Sequence, residues 1–419
     1  MIWDNKNEND IGNYTPRINL IGLGMEGCKV VNSIGLPDTT RRLFSVDGNV
    51  RDYINNGMVT QDLYKIFKKN GYYLGTNSNV EVADEGISIV DRGNHYIIKP
   101  SKGGFSVDIK YIKRIGINRD PQIEPFNNLD KKIILDYEIG AKSLDYANID
   151  GRVEISNEKF NALLDSGAIK RNFADITSNV DIIFLVMYLG GTLTETHLVE
   201  ELLKVGKDSR AVVIPVVVKP LDFNIRELPK KQLDLVHRYS KIVLEQDMLK
   251  MSLYHSSLTL RDMNMIILTK IQSTINDFIE TFSTPSDIQI SVNDLKAVSN
   301  IDGKSIVIKG EGSREVLERV VSEATKYSYM DPSTITAKGA LVQITIGNDV
   351  SMEEVNKLRN IVYQEFFDTS DPYPPEIHIG LRTDSEFKGG IKIFGLLTGI
   401  DSDYDSKKRG AEISYPALV

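Results

Sequence analysis

The chain has 419 residues, of which 41% are hydrophobic and 26% charged, a composition typical of a folded protein with more than one domain. Its net charge of −8 argues against a broad nucleic-acid-binding surface. The single cysteine, Cys28, excludes an intrachain disulfide framework and favours a reducing compartment. The longest apolar runs, at 182–189 and 211–218, fall short of the roughly 20 residues that a transmembrane helix needs. We therefore expect a soluble, cytoplasmic protein that binds no nucleic acid and does not insert into a membrane.

Predicted strands and helices alternate from the start of the chain. After a polar, flexible leader at residues 1–16, a strand at 17–21 runs into the glycine-rich turn Gly22-Leu23-Gly24-Met25-Glu26-Gly27. The elements that follow are a helix at 27–34, a strand at 43–46 that ends before Asp47, a helix at 61–69 and a polar turn at 75–79.

Between 84 and 155 the pattern changes to short alternating segments interrupted by glycine and proline, such as 87–90, 95–98 and 106–109. Alternation of this kind with frequent turn residues is typical of β-hairpins. We therefore predict a β-rich insertion over 84–155.

The alternation of helices and strands resumes after the predicted insertion. The continuous apolar runs at 182–189 and 211–218 predict strands that are buried on both faces of a parallel sheet. A long helix at 259–282 carries one stripe of apolar side chains, which indicates packing along a sheet. The other predicted elements are helices at 157–166, 173–178, 194–205 and 230–238 and a strand at 242–245.

After Ser283 the pattern indicates a second, α+β domain over 285–400, followed by a charged tail at 401–419. Its predicted elements are strands at 305–309, 340–346, 376–381 and 391–397 and helices at 313–327 and 352–367.

The glycine-rich turn at Gly22–Gly27 is a candidate phosphate-binding loop. Glycine lets the backbone approach an anion, and the N-terminus of the following helix supplies N–H donors and partial positive charge. The alternative interpretation is a tight turn whose glycines allow the helix to pack on the sheet. Asp47, 20 residues beyond Gly27, is placed like the acid that binds the ribose of a dinucleotide. An NAD-dependent Rossmann enzyme therefore remains an alternative.

A second glycine turn, Gly190-Gly191-Thr192-Leu193-Thr194, lies between a buried strand and a helix, where a Rossmann oxidoreductase needs no further phosphate loop. Lys219–Phe223 follows the next strand, and Ala337–Thr345 opens a strand of the second domain. With these segments in this order, the chain resembles the FtsZ branch of the FtsZ/tubulin superfamily. The resemblance spans about 17–400 except for the insertion, and it leaves the NAD interpretation with half of the chain unexplained.

The resemblance implies a Rossmann-like parallel-sheet GTPase domain (17–258), a central helix (259–284) and a second α+β domain (285–400). It implies GTP or GDP as the ligand, with Mg²⁺ as an accompanying cation, and head-to-tail filaments in which each site is completed by the neighbouring subunit. The residues that it places at the nucleotide are Gly22, Leu23, Gly24, Met25, Gly27, Asp47, Asn79, Gly190, Gly191, Thr192, Leu193, Thr194 and Asn264. It places Gln289 and Asp294 as the catalytic residues that act on the neighbouring subunit.

The chain departs from the family pattern at the phosphate loops. Met25 and Glu26 interrupt the first glycine cluster, and Leu193 and Glu195 replace glycines of the second. A carboxylate about 4 Å from a phosphate charge costs about 4 kcal/mol at an effective dielectric constant near 20. We therefore expect nucleotide binding that is weak or altered.

The catalytic loop departs from the pattern as well. The family carries Asn-x-Asp-x-x-Asp, whereas this chain reads Gln289-Ile290-Ser291-Val292-Asn293-Asp294, in which only Asp294 matches as an acid. Since one carboxylate of a water-positioning pair is missing, we expect GTP hydrolysis to be slow or absent.

A second hypothesis is a non-catalytic assembly partner that regulates a conventional FtsZ paralogue. The insertion at 84–155 and the apolar end of the tail, 413–419, are the segments predicted to contact such a division or shape partner. The five histidines show no metal-ligand spacing, so no metal site made of protein side chains is predicted.

Overall fold

The computed structural model describes residues 16–35, 45–46, 79–83, 86–91, 94–101, 104–109, 112–118, 126–134, 173–174, 176–177, 180–190, 193–255, 257–328, 336–368 and 374–400. Several predictions lie outside these residues: most of the leader, the helices at 61–69 and 157–166, the turn at 75–78, Asp47, Gly191, Thr192 and the tail at 401–419.

The described residues form strands and helices that alternate over much of the chain. The strands are β1 (Ile18–Leu23), β2 (Ser45–Val46), β3 (Asn79–Ala83), β4 (Gly86–Asp91), β5 (Asn94–Ser101), β6 (Gly104–Ile109), β7 (Ile112–Asn118), β8 (Lys131–Ile134), β9 (Ile182–Tyr188), β10 (Val212–Lys219), β11 (Leu244–Asp247), β12 (Lys304–Ser313), β13 (Gly339–Gly347), β14 (Glu376–Asp384) and β15 (Gly390–Ile400). The helices are α1 (Gly24–Ser33), α2 (Leu193–Asp208), α3 (Glu227–Tyr239), α4 (Met248–Tyr254), α5 (Leu260–Ser283), α6 (Val292–Ser299), α7 (Leu317–Lys326) and α8 (Met352–Phe366).

Six strands form a parallel sheet in the order β11-β10-β9-β1-β7-β8. In chain order this is the doubly wound arrangement 6-5-4-1-2-3, in which the chain winds outwards from β1 in one direction and from β9 in the other. The two apolar runs of the sequence become β9 and β10, and almost all of their side chains are buried. The predicted parallel-sheet domain is confirmed.

The extent of the insertion differs from the prediction. β7 and β8 lie within 84–155, and yet β7 pairs in parallel with β1, from Ile18 opposite Ile112 to Leu23 opposite Ile117. The prediction assigned the whole range 84–155 to the insertion and did not separate Ile112–Asn118 from the hairpins around it. The isoleucines of this segment stand at 112, 115 and 117, and this pattern does not specify the strand with which the segment pairs.

The additional β-structure is a separate antiparallel sheet in the order β2-β6-β5-β4-β3. β3 to β6 are joined as consecutive antiparallel neighbours, which agrees with the predicted hairpins. β2 pairs with β6 and not with β1, so the strand predicted at 43–46 contributes Ser45–Val46 to this antiparallel sheet. Asn79, predicted to lie at the nucleotide, is the first residue of β3 in this antiparallel sheet.

Helices cover both faces of the parallel sheet. On one face, α2 and α3 bury Leu198, Leu202 and Val236 against β1 and β9. On the other face, α1 buries Val30 and Val31, and the central helix α5 lies along the same core. The central helix α5 begins and ends one residue after its predicted bounds of 259 and 282. A Thr259–Asp262 capping box fixes its start.

The second domain is a four-stranded mixed sheet in the order β12-β15-β13-β14, with α7 and α8 packed on the face opposite α5. The predicted α+β domain is confirmed. An aromatic chain links the two sheets through α5: the ring of Phe278 lies 5.4 Å from that of Phe184 in β9 and 5.0 Å from that of Phe394 in β15. No helix among the described residues is long and apolar enough to cross a membrane.

A charged cluster also joins α5 to the second sheet, and we call it the interdomain ion cluster (Asp277, Glu280, Lys309, Arg382 and Lys392). The Asp277 carboxylate lies 2.6 Å from the ammonium group of Lys309 and 2.8 Å from that of Lys392. Glu280 lies 3.3 Å from Lys392 and 2.5 Å from Arg382. The central helix is thus fixed to the second domain by charge as well as by apolar packing.

Candidate functional site

The strand order of the parallel sheet reverses between β1 and β9, whose carboxyl ends are Leu23 and Tyr188. In doubly wound sheets, connections leave such a pair of strands towards opposite faces and open a crevice beyond their carboxyl ends, which is where ligands bind. The two glycine segments of the sequence follow these same two strands. The topology therefore brings both predicted phosphate segments to one crevice.

The first glycine segment is tighter than the predicted loop. β1 ends at Leu23 and α1 begins directly at Gly24, which has a φ of +70°. A Cβ atom on Gly27 would lie 2.4 Å from the carbonyl oxygen of Val186, and one on Gly22 would lie 2.4 Å from the carbonyl oxygen of Gly27. The packing requirement therefore explains these two glycines, and it also places the N-terminus of α1 directly against β9.

The N-terminus of α1 has no side chain as a cap, because Leu23 occupies the N-cap position. The first N–H groups of a helix have no partner within the helix and carry partial positive charge. In α1 these groups belong to the segment Gly24–Gly27, at the edge where the crevice opens. They can donate to an anion that binds there.

The side chains around this junction are acidic or inert. Glu26 is about half exposed and its carboxylate lies 2.6 Å from the ammonium group of Lys29. Burial, together with the nearby Glu26 charge, raises the pKa of Tyr188 to about 12. Met25 packs against Cys28, whose thiol donates to the carbonyl of Gly22 at 3.2 Å. Burial raises the pKa of Cys28 to about 12, so this thiol remains protonated and unreactive.

The second glycine segment is held by α3 and the residue before it. The N–H group of Gly190 donates to Oε1 of Gln232 at 2.7 Å, and the carbonyl of Gly190 accepts from Arg226 at 3.3 Å. Gln232 is itself oriented by a hydrogen bond to Thr196 at 2.8 Å. A backbone donor that the family pattern directs at phosphate is therefore occupied by a side chain of the same chain. Leu193 and Thr194 are the first two residues of α2.

Asn264, which the resemblance places at the nucleotide, lies near the start of α5. Asn264 and Arg261 are exposed, whereas the Asp262 carboxylate accepts from the N–H and hydroxyl groups of Thr259. Asp262 is therefore part of the helix cap, and Asn264 is the polar side chain that stays exposed beside it.

The predicted catalytic residues lie between α5 and α6 and are held by local contacts. The Gln289 amide donates to the carbonyl of Thr281 at 3.2 Å and accepts from the N–H group of Ser286 at 3.1 Å. Asp294 lies inside α6, where one carboxylate oxygen accepts from Ser291 in a capping box. Its other oxygen lies 3.1 Å from Nδ1 of His378. Both carboxylate oxygens of Asp294 thus have structural partners within the subunit.

Replacing Asp294 with alanine should destabilise the protein by about 1–2 kcal/mol, because the α6 capping box is lost. The neighbouring exposed residue gives the control: Asn293→Ala should change stability by less than about 0.5 kcal/mol. Urea unfolding of both variants measures the difference. Equal stability of the two variants would show that the cap contributes nothing.

Three residues that contribute to this crevice are absent from the sequence-based prediction: Tyr188, Arg226 and Gln232. Tyr188 is a polar residue at the end of an otherwise apolar strand, and this position in the sequence marks it as a candidate site residue. Arg226 and Gln232 give no such signal, since a polar side chain before or on a helix is common. Among the described residues, no group of three or more His, Cys, Asp or Glu side chains is arranged to hold a metal.

The fold agrees with those of known structures. An empty FtsZ dimer of M. jannaschii superposes with a TM-score of 0.57 at 18% identity, over 97% of this chain and 96% of the other. TubZ from GDP-form protofilaments of Bacillus thuringiensis serovar israelensis gives a TM-score of 0.51 at 11% identity, over 98% of this chain and 94% of the other. The chain therefore shares its fold, a parallel-sheet domain joined by a central helix to a mixed-sheet domain, with these FtsZ and TubZ structures.

Comparisons of the amino-acid sequence find relatives among FtsZ proteins. Residues 303–401 match the model of the FtsZ family C-terminal domain. Cell division protein FtsZ 2 of Methanocaldococcus jannaschii is 27% identical over 307 residues, which cover 71% of this chain and 75% of that protein. The chain is thus similar to FtsZ proteins in sequence as well as in fold, which agrees with the resemblance that the sequence motifs indicated.

Proposed function

We propose that this chain is a cytoskeletal protein of the cytoplasm that binds GTP or GDP weakly and stacks head to tail into filaments. Hydrolysis of GTP is slow or absent in this proposal. The observation that carries it is the crevice at the switch point of an FtsZ-type fold, where the uncapped N-terminus of α1 lies between the ends of β1 and β9. The relatives named above include a dimer and protofilaments, which supports self-association.

The charge beside the crevice supports weak binding. Glu26 lies in the first turn of α1, among the N–H groups that would contact phosphate. Because Glu26 is half exposed and paired with Lys29, solvent screens its repulsion. The repulsion then amounts to about 1 kcal/mol, as in bulk water, rather than the roughly 4 kcal/mol expected at an effective dielectric constant near 20. The nucleotide is therefore expected to bind with reduced affinity and not to be excluded.

The contacts of the α5–α6 connection support slow hydrolysis. A catalytic carboxylate must reach the attacking water in the neighbouring subunit's pocket. Asp294 has both of its oxygens engaged, by Ser291 and His378, and Gln289 holds its own loop. This part of the proposal would be overturned if the chain hydrolysed GTP at the rate of a conventional FtsZ and if Asp294→Ala abolished that activity.

Electron microscopy of the full chain with GTP, with GDP and without nucleotide tests the assembly directly. We expect single-stranded or paired filaments whose longitudinal repeat is one subunit, and whose amount increases with nucleotide. Calorimetry on the same samples measures the affinity and its dependence on Mg²⁺. A chain that stays monomeric under all three conditions would contradict the filament proposal.

Replacing Glu26 with glutamine should strengthen GDP binding about fivefold, since it removes a repulsion of about 1 kcal/mol. Glu323→Gln is the matched control, because Glu323 is an exposed helical glutamate paired with Arg319 at 2.9 Å. Calorimetric titration with GDP compares the two variants with the native chain. An unchanged affinity in Glu26→Gln would show that phosphate does not approach the first turn of α1.

The hydrogen bond between Gly190 and Gln232 favours a second candidate, a non-catalytic partner that regulates filaments of a conventional FtsZ. In this case the second phosphate segment is closed by the chain itself, and the fold serves as a binding module. The antiparallel sheet of β2 to β6 and the tail at 413–419 are then the candidate contact segments. Tight, Mg²⁺-dependent GTP binding would exclude this alternative, and co-sedimentation with filaments of a conventional FtsZ would support it.

A further inference from the structure

The connection between α5 and α6 lies against the edge strand β14 of the second sheet. Ile288 forms an antiparallel bridge with Leu381, in which the backbone N–H group of each residue donates to the carbonyl of the other at 3.0 Å. The Asp287 carboxylate accepts from the N–H and hydroxyl groups of Thr383, both at 2.8 Å. The connection, and with it the start of α6, is therefore fixed relative to β14.

His378 of β14 lies between two carboxylates. Its Nδ1 atom is 3.1 Å from Oδ1 of Asp294 in the first turn of α6. Its Nε2 atom is 2.8 Å from Oε1 of Glu376, which belongs to the same strand. Carboxylate oxygens only accept hydrogen bonds, so both contacts are hydrogen bonds when both ring nitrogens carry a proton. The bridge then consists of one imidazolium between two carboxylates.

The two oxygens of Asp294 are held by different groups. Oδ2 accepts from the N–H group of Ser291 at 2.7 Å and from its hydroxyl group at 2.9 Å. These bonds form the capping box of α6 and fix the orientation of the carboxylate. Oδ1 takes no part in the cap and faces Nδ1 of His378 instead. A general base needs an oxygen that can reach the proton of the attacking water, and His378 occupies the oxygen that the cap leaves available.

We propose that His378 is a positioning residue that suppresses GTP hydrolysis by holding Oδ1 of Asp294 within its own subunit. The inference rests on the proposed filament, in which Asp294 belongs beside the nucleotide of the neighbouring subunit. Glu376 contributes to the suppression, since its contact with Nε2 orients the imidazole ring. Relief of this contact is therefore a way to activate the site.

Without His378, the capping box still presents the Asp294 carboxylate, and Oδ1 can accept from a water molecule in the neighbouring site. The water oxygen then forms a bond to the γ-phosphorus while its proton passes to Oδ1. The bond between the γ-phosphorus and the bridging oxygen breaks, which leaves GDP and phosphate.

Steady-state GTP hydrolysis by the full chain, under conditions in which electron microscopy shows filaments, tests the proposal. We expect His378→Ala to raise kcat about tenfold and to leave KM unchanged, because it frees the base and alters no nucleotide contact. The gain is smaller than the roughly 10²–10⁴-fold contribution of a positioned base, since Ser291 stands where the family pattern carries another acid. His378→Asn should keep the native kcat, because the asparagine amide can donate to Oδ1 from the position of Nδ1.

Two further variants serve as controls. His237→Ala is matched, because His237 also lies 3.1 Å from a carboxylate, that of Glu245, and it should leave kcat at the native value. Adding Asp294→Ala to His378→Ala should remove the gain, because the gain depends on the Asp294 carboxylate. Circular dichroism of each variant confirms that the fold is intact.

Each remaining outcome contradicts the proposal at a defined point. If the native chain forms filaments and His378→Ala has the native kcat, the inference is wrong while the proposed function stands. A His378→Asn variant as fast as His378→Ala overturns it too, and so does a gain that persists without Asp294. A native chain that forms no filaments contradicts the proposed function itself and removes the neighbouring site on which the inference depends.

Discussion

Asp277→Ala is expected to lower the free energy of unfolding by about 3 kcal/mol, because it leaves two neighbouring ammonium groups without their shared carboxylate. The Asp277 side chain is only 6% exposed, and both of its oxygens are used, one by Lys309 and one by Lys392. The two lysines are about a quarter exposed, which places the expected loss at the lower end of the range for a broken buried pair. The effect should be large because Asp277 connects the central helix to the second domain.

An exposed ion pair of the same length provides the control for Asp277→Ala. Asp302 lies 2.6 Å from Lys241 but is 87% exposed, so Asp302→Ala should cost less than about 1 kcal/mol. Guanidinium unfolding of the two variants measures both losses against the native chain. Losses of equal size would show that the interdomain ion cluster adds no more than a surface pair.

Gly27→Ala is the second substitution with a large expected effect. Alanine is favoured over glycine in a helix by about 1 kcal/mol, but the new methyl group would lie 2.4 Å from the carbonyl oxygen of Val186. The atom that it meets belongs to the backbone of the central strand β9, which cannot move without disturbing the sheet. Overpacking of this kind costs about 1–3 kcal/mol, so we expect a net destabilisation and a weaker nucleotide site.

Gly35 lies just beyond α1 and supplies the control, since a Cβ atom there meets nothing within 4 Å. Gly35→Ala should be neutral or stabilising by up to about 1 kcal/mol. Thermal unfolding and GDP titration of both variants separate packing from general helix effects. A stable Gly27→Ala variant with native nucleotide affinity would show that α1 can withdraw from β9 without consequence.

Several elements of the fold are specified by features local to one stretch of the sequence. The apolar runs that become β9 and β10 could be assigned from the sequence, because a short continuous apolar run is typical of a strand that is buried on both faces of a parallel sheet. The central helix could be assigned as well, because its apolar stripe and its Thr259–Asp262 cap are local features. The same holds for the second domain, whose strands and helices follow the predicted order.

Pairing between distant strands could not be predicted in the same way. β2 is a short strand beyond the first helix, the place where a second parallel strand is expected, and yet it pairs with β6. β7 was predicted within the β-rich insertion, and yet it pairs with β1. Which partner a strand takes depends on contacts between segments far apart in the chain, and alternation of polarity records only which face is buried.

The candidate site also combines features that the sequence determines with features that depend on the tertiary structure. The sequence by itself determined that two glycine segments follow two buried strands. It also predicted that acids interrupt the phosphate segments and that the proposed catalytic loop carries one carboxylate. Only the tertiary structure decided that Gly22 and Gly27 are needed for the contact of α1 with the sheet, and that α3 occupies the N–H group of Gly190. It alone brought Lys309 and Lys392 to the carboxylate of Asp277. The reason is physical: a close approach or a charge cluster is made by residues from different elements, and its energy depends on distances that no local pattern specifies.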